Sequence, residues 1–305
     1  MKPGPRKNVA ASVRQRLLDL SRQRGEDFQF ILSRYTAERL LYRLGVSSHR
    51  DRFILKGALL FVLWKGQLHR PTRDLDLLGF GDGEIAGLVT AFREICAVAV
   101  EDDGLVFLAE TVAGENIRED QDYGGVRLKF VAMLERARIS MQVDIGFGDA
   151  ITPEAQWCDY PTLLDAPPPH LRAYPRETVI AEKLEAIVSL GMANSRMKDF
   201  YDLIVLARDF EFSGSQLAEA IRETFHRRQT PLPAERPLGL SDEFARDASK
   251  RTQWSAFIRR QAITDAPAEL TDAIALVRSF VEPVLMSVAA EREHLLNWRG
   301  GAWTQ

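Results

Sequence analysis

The tightest constraint on the fold is the stretch Lys56-Gly57-Ala58-Leu59-Leu60, followed by Arg70-Pro71-Thr72-Arg73-Asp74-Leu75-Asp76-Leu77. The apolar segment Phe53-Ile54-Leu55 runs into Lys-Gly, an apolar helix-like turn spans Ala58 to Trp64, and a polar loop leads to a second strand-like segment. Residues two apart in a strand share a face, so Asp74 and Asp76 project together while Leu75 and Leu77 point the other way. Two carboxylates aimed at one point repel each other unless a cation sits between them. An acidic, oxygen-only site of this kind suits Mg²⁺ bound to substrate phosphates. A solvated Asp-x-Asp on a sheet edge has the same local pattern, so the pair needs support from elsewhere in the chain.

Periodicity supplies the surrounding elements. Val9 to Arg24 and Phe28 to Leu44 read as amphipathic helices forming a hairpin over one side of the fold, and Glu84 to Val98 as a third helix. Strand patterns follow at Leu105 to Glu110, Val126 to Leu134 and Arg138 to Phe147. In the last of these, Asp144 falls on the side of Ser140 and Gln142, opposite Met141, Val143 and Ile145. Strands interleaved with helices predict an α/β or α+β domain, placed at residues 1–165. The Pro-rich stretch from Ala150 to Pro175 reads as a packed connection. Beyond it the pattern is helical: Pro175 to Leu190, Lys198 to Asp209, Ser213 to Arg228, Asp242 to Gln261, and Ala266 to about Glu293. Pro175 fits a first-turn position, Ser213 with Gln216 has capping-box spacing, and Pro283 should kink or split the last helix. The tail at Arg299-Gly300-Gly301-Ala302 reads as frayed, and residues 166–305 form a helical C-terminal domain expected to complete the active site.

The chain has 305 residues and a net charge of −3, so there is no global pull towards nucleic acid. Cys96 and Cys158 have no zinc-type or disulfide-framework spacing, the basic start lacks a secretory core, and no apolar run could span a bilayer. A cytoplasmic protein is expected. The five histidines show no ligand or triad spacing, and neither Gly-x-Ser-x-Gly nor a P-loop occurs. The basic doublets Arg227-Arg228, Lys250-Arg251 and Arg259-Arg260 read as solvated helix faces that could also grip a phosphate backbone.

Asp144 strengthens the strand pair, because a third carboxylate would complete a cluster able to hold two Mg²⁺ ions. Two such ions about 4 Å apart clamp the attacking and leaving oxygens of a phosphoryl displacement. Gly57, lacking a side chain, lets backbone N–H groups approach a phosphate, though an ordinary tight turn would also explain it. Lys183 sits within the apolar stripe of Val179, Ile180, Leu184 and Ile187, where a lysine either snorkels out, paired with Glu182 or Glu185, or needs an anion such as a triphosphate. Asp199 and Asp202 share one face of the next helix. Asp199 could accept a proton from an attacking hydroxyl or simply favour the helix N-terminus. Asp202 reads first as structural.

The ordered set Lys56-Gly57-Ala58-Leu59-Leu60, Arg70-x-Thr72-x-Asp74-Leu75-Asp76, Val143-Asp144-Ile145, Glu182-Lys183-Leu184 and Lys198-Asp199-Phe200-Tyr201-Asp202 resembles the AbiEii/AbiGii toxin family of bacterial nucleotidyltransferases. These are relatives of the DNA-polymerase-β-like superfamily, and the resemblance covers roughly residues 50 to 210. It implies an α+β fold with a mixed-sheet nucleotidyltransferase core flanked by helices, and transfer of a nucleotide from an NTP. By the same likeness, Asp74, Asp76 and Asp144 would be metal ligands for Mg²⁺, or Mn²⁺ in its place. Lys56, Gly57, Ala58, Thr72 and Lys183 would line the nucleotide, and Asp199 would be the essential acid of the last motif. An RNA acceptor, commonly a tRNA 3′ end, and a cognate antitoxin with a winged-helix domain are implied as partners. The superfamily has Gly-Ser where this chain has Gly57-Ala58; the missing hydroxyl removes one phosphate hydrogen bond, worth about 1 kcal/mol. Two other readings use the same residues: a catalytically silent binding module of this fold, and an acidic-cluster metal nuclease.

Overall fold

The computed structural model describes residues 8–72, 74–117 and 124–305; Arg73 and the basic start through Lys7 lie outside them. By contact the chain forms two compact units, one of residues up to Gly148 with Gln156–Ala173, the other of Asp149–Ala155 with Tyr174–Gln305.

The first unit opens with two helices, α1 (Val9–Arg24) and α2 (Phe28–Val46). Asn8 and Asp27 cap them, each side chain accepting a backbone N–H three residues on, and Gly25 ends α1 in the left-handed conformation. α2 is buried nearly all round, charged residues included. Arg43 pairs with Asp103 through 2.6 and 3.1 Å hydrogen bonds, and Arg39 donates twice to the Pro167 carbonyl at 3.0 and 2.9 Å. The helix therefore props the sheet and also ties down the loop beyond it.

Glu38 of α2 accepts the Leu163 N–H at 2.7 Å. Burial pushes its carboxyl up to about 7, against the lowering pull of that hydrogen bond and of Arg39. The folded chain thus keeps a proton that the unfolded chain releases near 4.5, so this stabilisation is full below that pH and lost as pH rises to about 7. Urea midpoints are expected to fall between about pH 5 and pH 8, and Glu38→Gln to flatten the decline; identical slopes in variant and wild type would discard the assignment.

The sheet strands are β1 (Phe53–Lys56), β2 (Leu75–Gly79), β3 (Leu105–Ile117), β4 (Gly125–Leu134), β5 (Ala137–Phe147), β6 (Gln156–Asp159) and β7 (His170–Ala173). Short α3 (Leu60–Lys65) joins β1 to β2, and α4 (Ile85–Ala97) leads from β2 to β3. The spatial order is β3-β4-β5-β2-β1-β7-β6, with β2 parallel to β5 and β1 parallel to β7. This mixed sheet is the α+β core that was expected. β6 and β7 correct the reading of residues 150–175 as connection alone: four-residue strands between prolines are too short to show a period. Tyr160 is buried there, whereas Trp157 is exposed.

The second unit contains α5 (Arg176–Leu190), α6 (Met197–Asp209), β8 (Phe212–Ser213), α7 (Gly214–Arg227), α8 (Asp242–Arg246), α9 (Ala248–Arg260), α10 (Leu270–Ala289), β9 (Asn297–Arg299) and β10 (Ala302–Thr304). Pro175 stands at the N-cap of α5, one residue before the expected first turn. Ser213 makes no capping bond; its hydroxyl engages that of Ser215 at 2.9 Å. Asp247 splits the single helix expected from Asp242 to Gln261, because its side chain caps a new start by accepting from Lys250 N–H. α10 continues through Pro283, with Val281, Val284 and Leu285 fully buried around it. The tail is no frayed end: Gly300 and Gly301, both at positive φ, turn β9 into β10, and Trp298 donates to the Ala207 carbonyl.

Candidate active site

In the first unit the site is a row across four strands. Lys56 of β1 lies opposite Asp76 of β2, Asp76 opposite Asp144 of β5, and Asp144 opposite Arg127 of β4. Register partners share a face about 4.8 Å apart, so the row reads plus, minus, minus, plus. The apolar residues between them hold it in place: Leu75, Leu77, Val143 and Ile145 are buried, while Asp76 and Asp144 are half-buried. Asp74 is exposed just ahead of β2, and its charge reaches Arg127.

Gly57 leaves β1 at φ +76°, a conformation that L side chains rarely adopt. A Cβ there would stand 2.0 Å from Asp76 Oδ2. The glycine therefore makes room for the carboxylate of Asp76, a role that its reading as a phosphate approach did not include. Gly57→Ala is expected to shift Asp76 and lower nucleotide incorporation roughly 10- to 100-fold, with a stability loss of about 1–3 kcal/mol. Full incorporation by a folded Gly57→Ala protein would remove Gly57 from the site. Ala58 is buried, and Thr72 lies half-buried in the loop before β2.

Asp144 is engaged by Arg127, whose Nε and Nη2 donate to its two oxygens at 2.8 and 2.7 Å. The Gln142 amide adds longer contacts of 3.3 and 3.4 Å. The hydrogen bonding it donates to Asp144 holds the Arg127 guanidinium still more firmly charged than usual. Arg127 was missed from sequence. Its only signal was alternation within β4, where Arg127 and Lys129 interrupt Val126, Leu128 and Phe130.

The second unit holds the other candidates. Lys183 points inward, as its stripe position predicts, but its partners are neither Glu182 nor Glu185. Its Nζ lies 2.7 Å from Asp199 Oδ1 and 2.8 Å from Asp202 Oδ2. Arg196 Nε stands 2.8 Å from the other Asp199 oxygen. Both aspartates are buried. Burial alone would raise the Asp199 carboxyl, yet Lys183 and then Arg196 outweigh it and hold the group below its ordinary range. Such a carboxylate is a weak proton acceptor but a firm anchor for a lysine. Of the basic doublets, Arg228 is tied to Glu185 and Asp149 at 2.8 and 2.9 Å, and buried Lys250 donates to the Asn194 carbonyl. These two side chains are not solvated, whereas Arg227, Arg251, Arg259 and Arg260 are exposed as their reading as solvated faces expects.

The family model described as nucleotidyl transferase AbiEii toxin, type IV TA system, matches residues 39–276. The chain belongs to this family. Among solved structures it is similar to a Helicobacter pylori chain described as a candidate nucleotidyltransferase, at 16% identity and a TM-score of 0.49 over 88% of this chain and 100% of that one. It is also similar to JHP933 from Helicobacter pylori, at 16% identity and a TM-score of 0.44 over 83% and 89% of the respective chains. No curated protein matches.

Membership makes this an AbiEii-type nucleotidyltransferase toxin of a type IV toxin–antitoxin system, and nucleotidyltransferases generally use a divalent cation with an NTP. The donor set fits that requirement in part. Asp74 and Asp76 are hard oxygen donors at one edge of the row, and the Gly57 turn leaves the space that Asp76 fills. Among the described residues, however, no three acidic, histidine or cysteine side chains come together as a metal-holding group. Asp144, the third carboxylate expected beside them, accepts from Arg127 through both of its oxygens. No helix among the described residues is long and apolar enough to cross a membrane.

Proposed function

We propose that this AbiEii-family chain transfers a nucleotide from an NTP to an RNA, most simply the 3′ end of a tRNA, and that a cognate antitoxin restrains it. The observation that carries this reading is the seat of Asp76: a carboxylate fitted against a side-chain-free turn, beside Asp74 and a lysine. Asp74 and Asp76 would hold Mg²⁺, or Mn²⁺, which when bound neutralises charge on the phosphates and on the departing pyrophosphate. The acceptor hydroxyl forms a bond to the α-phosphorus as the bond to pyrophosphate breaks in line. Lys56 and the Gly57 turn orient the phosphates from β1. In the second unit Asp199 and Asp202 hold the Lys183 Nζ between them, so Asp199 acts as a positioning residue for that lysine and not as the proton acceptor.

The test supplies purified protein with each labelled NTP in turn, tRNA and Mg²⁺. Label should enter the RNA with release of pyrophosphate. Shortened RNA would replace this reading with a nuclease; NTP binding without incorporation into any RNA would replace it with a silent binding module.

A further inference from the structure

The row of four charges ends, on the β4 side, in the guanidinium of Arg127. We propose that Arg127 is a built-in counter-ion which withdraws Asp144 from the metal's ligands, so that Asp74 and Asp76 take a single divalent cation. This rests on the reading of Asp74 and Asp76 as cation ligands.

Three observations carry it. The guanidinium meets Asp144 side-on, through Nε and Nη2 at 2.8 and 2.7 Å, which is the paired geometry that makes arginine–carboxylate contacts strong and directional. A cation recruiting Asp144 would have to share its oxygens with a guanidinium that cannot lose its proton, and would meet that like charge at close range. Asp76 and Asp144 are direct partners on adjacent strands, where like charges destabilise a sheet, and Arg127 on the next strand cancels that repulsion without an ion. The side chains of Arg127 and Asp144 are 32% and 18% exposed, so the pair lies where solvent ions can reach it and its integrity can be probed. Arg127 is thus a positioning residue for the carboxylate row.

The experiment counts Mn²⁺ bound to the full chain without nucleotide, from the spin-resonance signal of the free ion. Wild type should bind one equivalent. Asp76→Asn should lose it, and Asp144→Asn should keep it within about twofold. Arg127→Gln should gain a second equivalent or bind about tenfold tighter, and adding Asp144→Asn to it should reverse the gain. Two equivalents in wild type, or loss in Asp144→Asn equal to that in Asp76→Asn, would overturn the proposal. So would an Arg127→Gln protein, folded by its thermal melt, with unchanged binding. The Asp144→Asn arm keeps the test decisive if Arg127→Gln does not fold. A wild type that binds one Mn²⁺ yet labels no RNA would fail the proposed function while leaving the role of Arg127 standing.

Discussion

Asp76→Asn is expected to lower nucleotide incorporation by at least about a thousandfold, equivalent to roughly 4 kcal/mol of transition-state stabilisation. Asparagine matches the shape that fills the space beside Gly57, so the turn should stay as it is. What disappears is the negative charge that the proposed function sets against the metal and phosphates. Because Asp76 is half-buried and flanked by a lysine and a second carboxylate, removing its charge should change thermal stability little. Incorporation of labelled NTP, read beside a thermal melt, separates the two effects. Activity within tenfold of wild type would place the chemistry elsewhere.

Lys183→Met should have the largest effect on stability. Methionine has similar length but no charge, and it would leave Asp199 and Asp202 buried without the ammonium that both of them face. Breaking a buried ion pair by removing one partner costs about 3–5 kcal/mol, since the remaining charge keeps its desolvation penalty. The pH dependence follows from the direction of the Asp199 shift. In wild type its folded value is depressed, so its stabilisation is present above the ordinary aspartate value and is lost as pH falls through the folded one. In Lys183→Met the Asp199 carboxyl should titrate upward, and the deficit should shrink as pH is lowered from about 7 towards 5. Adding Asp199→Asn and Asp202→Asn should recover part of the loss. A urea midpoint unchanged in Lys183→Met would show that the three groups are not coupled.

Much of this arrangement was legible in the chain, and the omissions share a physical cause. Long periodic elements announced themselves: α1 has the bounds that its apolar stripe predicts, and β4 and β5 each begin within one residue of expectation. Alternation alone set Asp76 and Asp144 on the polar side of their strands. The inward position of Lys183 likewise followed from helical spacing. Its partners did not, because Glu182 and Glu185 are near in sequence whereas Asp199 and Asp202 are brought to it by helix packing. Arg127 was invisible for the same reason: nothing local states that β4 lies beside β5 in the register that sets Arg127 against Asp144. The strands β6, β7, β9 and β10 have three or four residues each, too few to distinguish alternation from a polar loop. Which residues share a face was readable; which faces meet was not.

The parallel pairing of β2 with β5 also governs when the site comes into being. Antiparallel β3, β4 and β5 are sequence neighbours and can zip together locally, whereas β2, which can pair early with β1, must wait for β5 to cover its other edge. A ribosome that has released Asp76 has therefore built only half of the charged row, and a chain ended before Asp144 leaves that half without its neighbour. The complete charged row is a late product of folding, so a growing chain carries Asp76 well before it carries the surface around it.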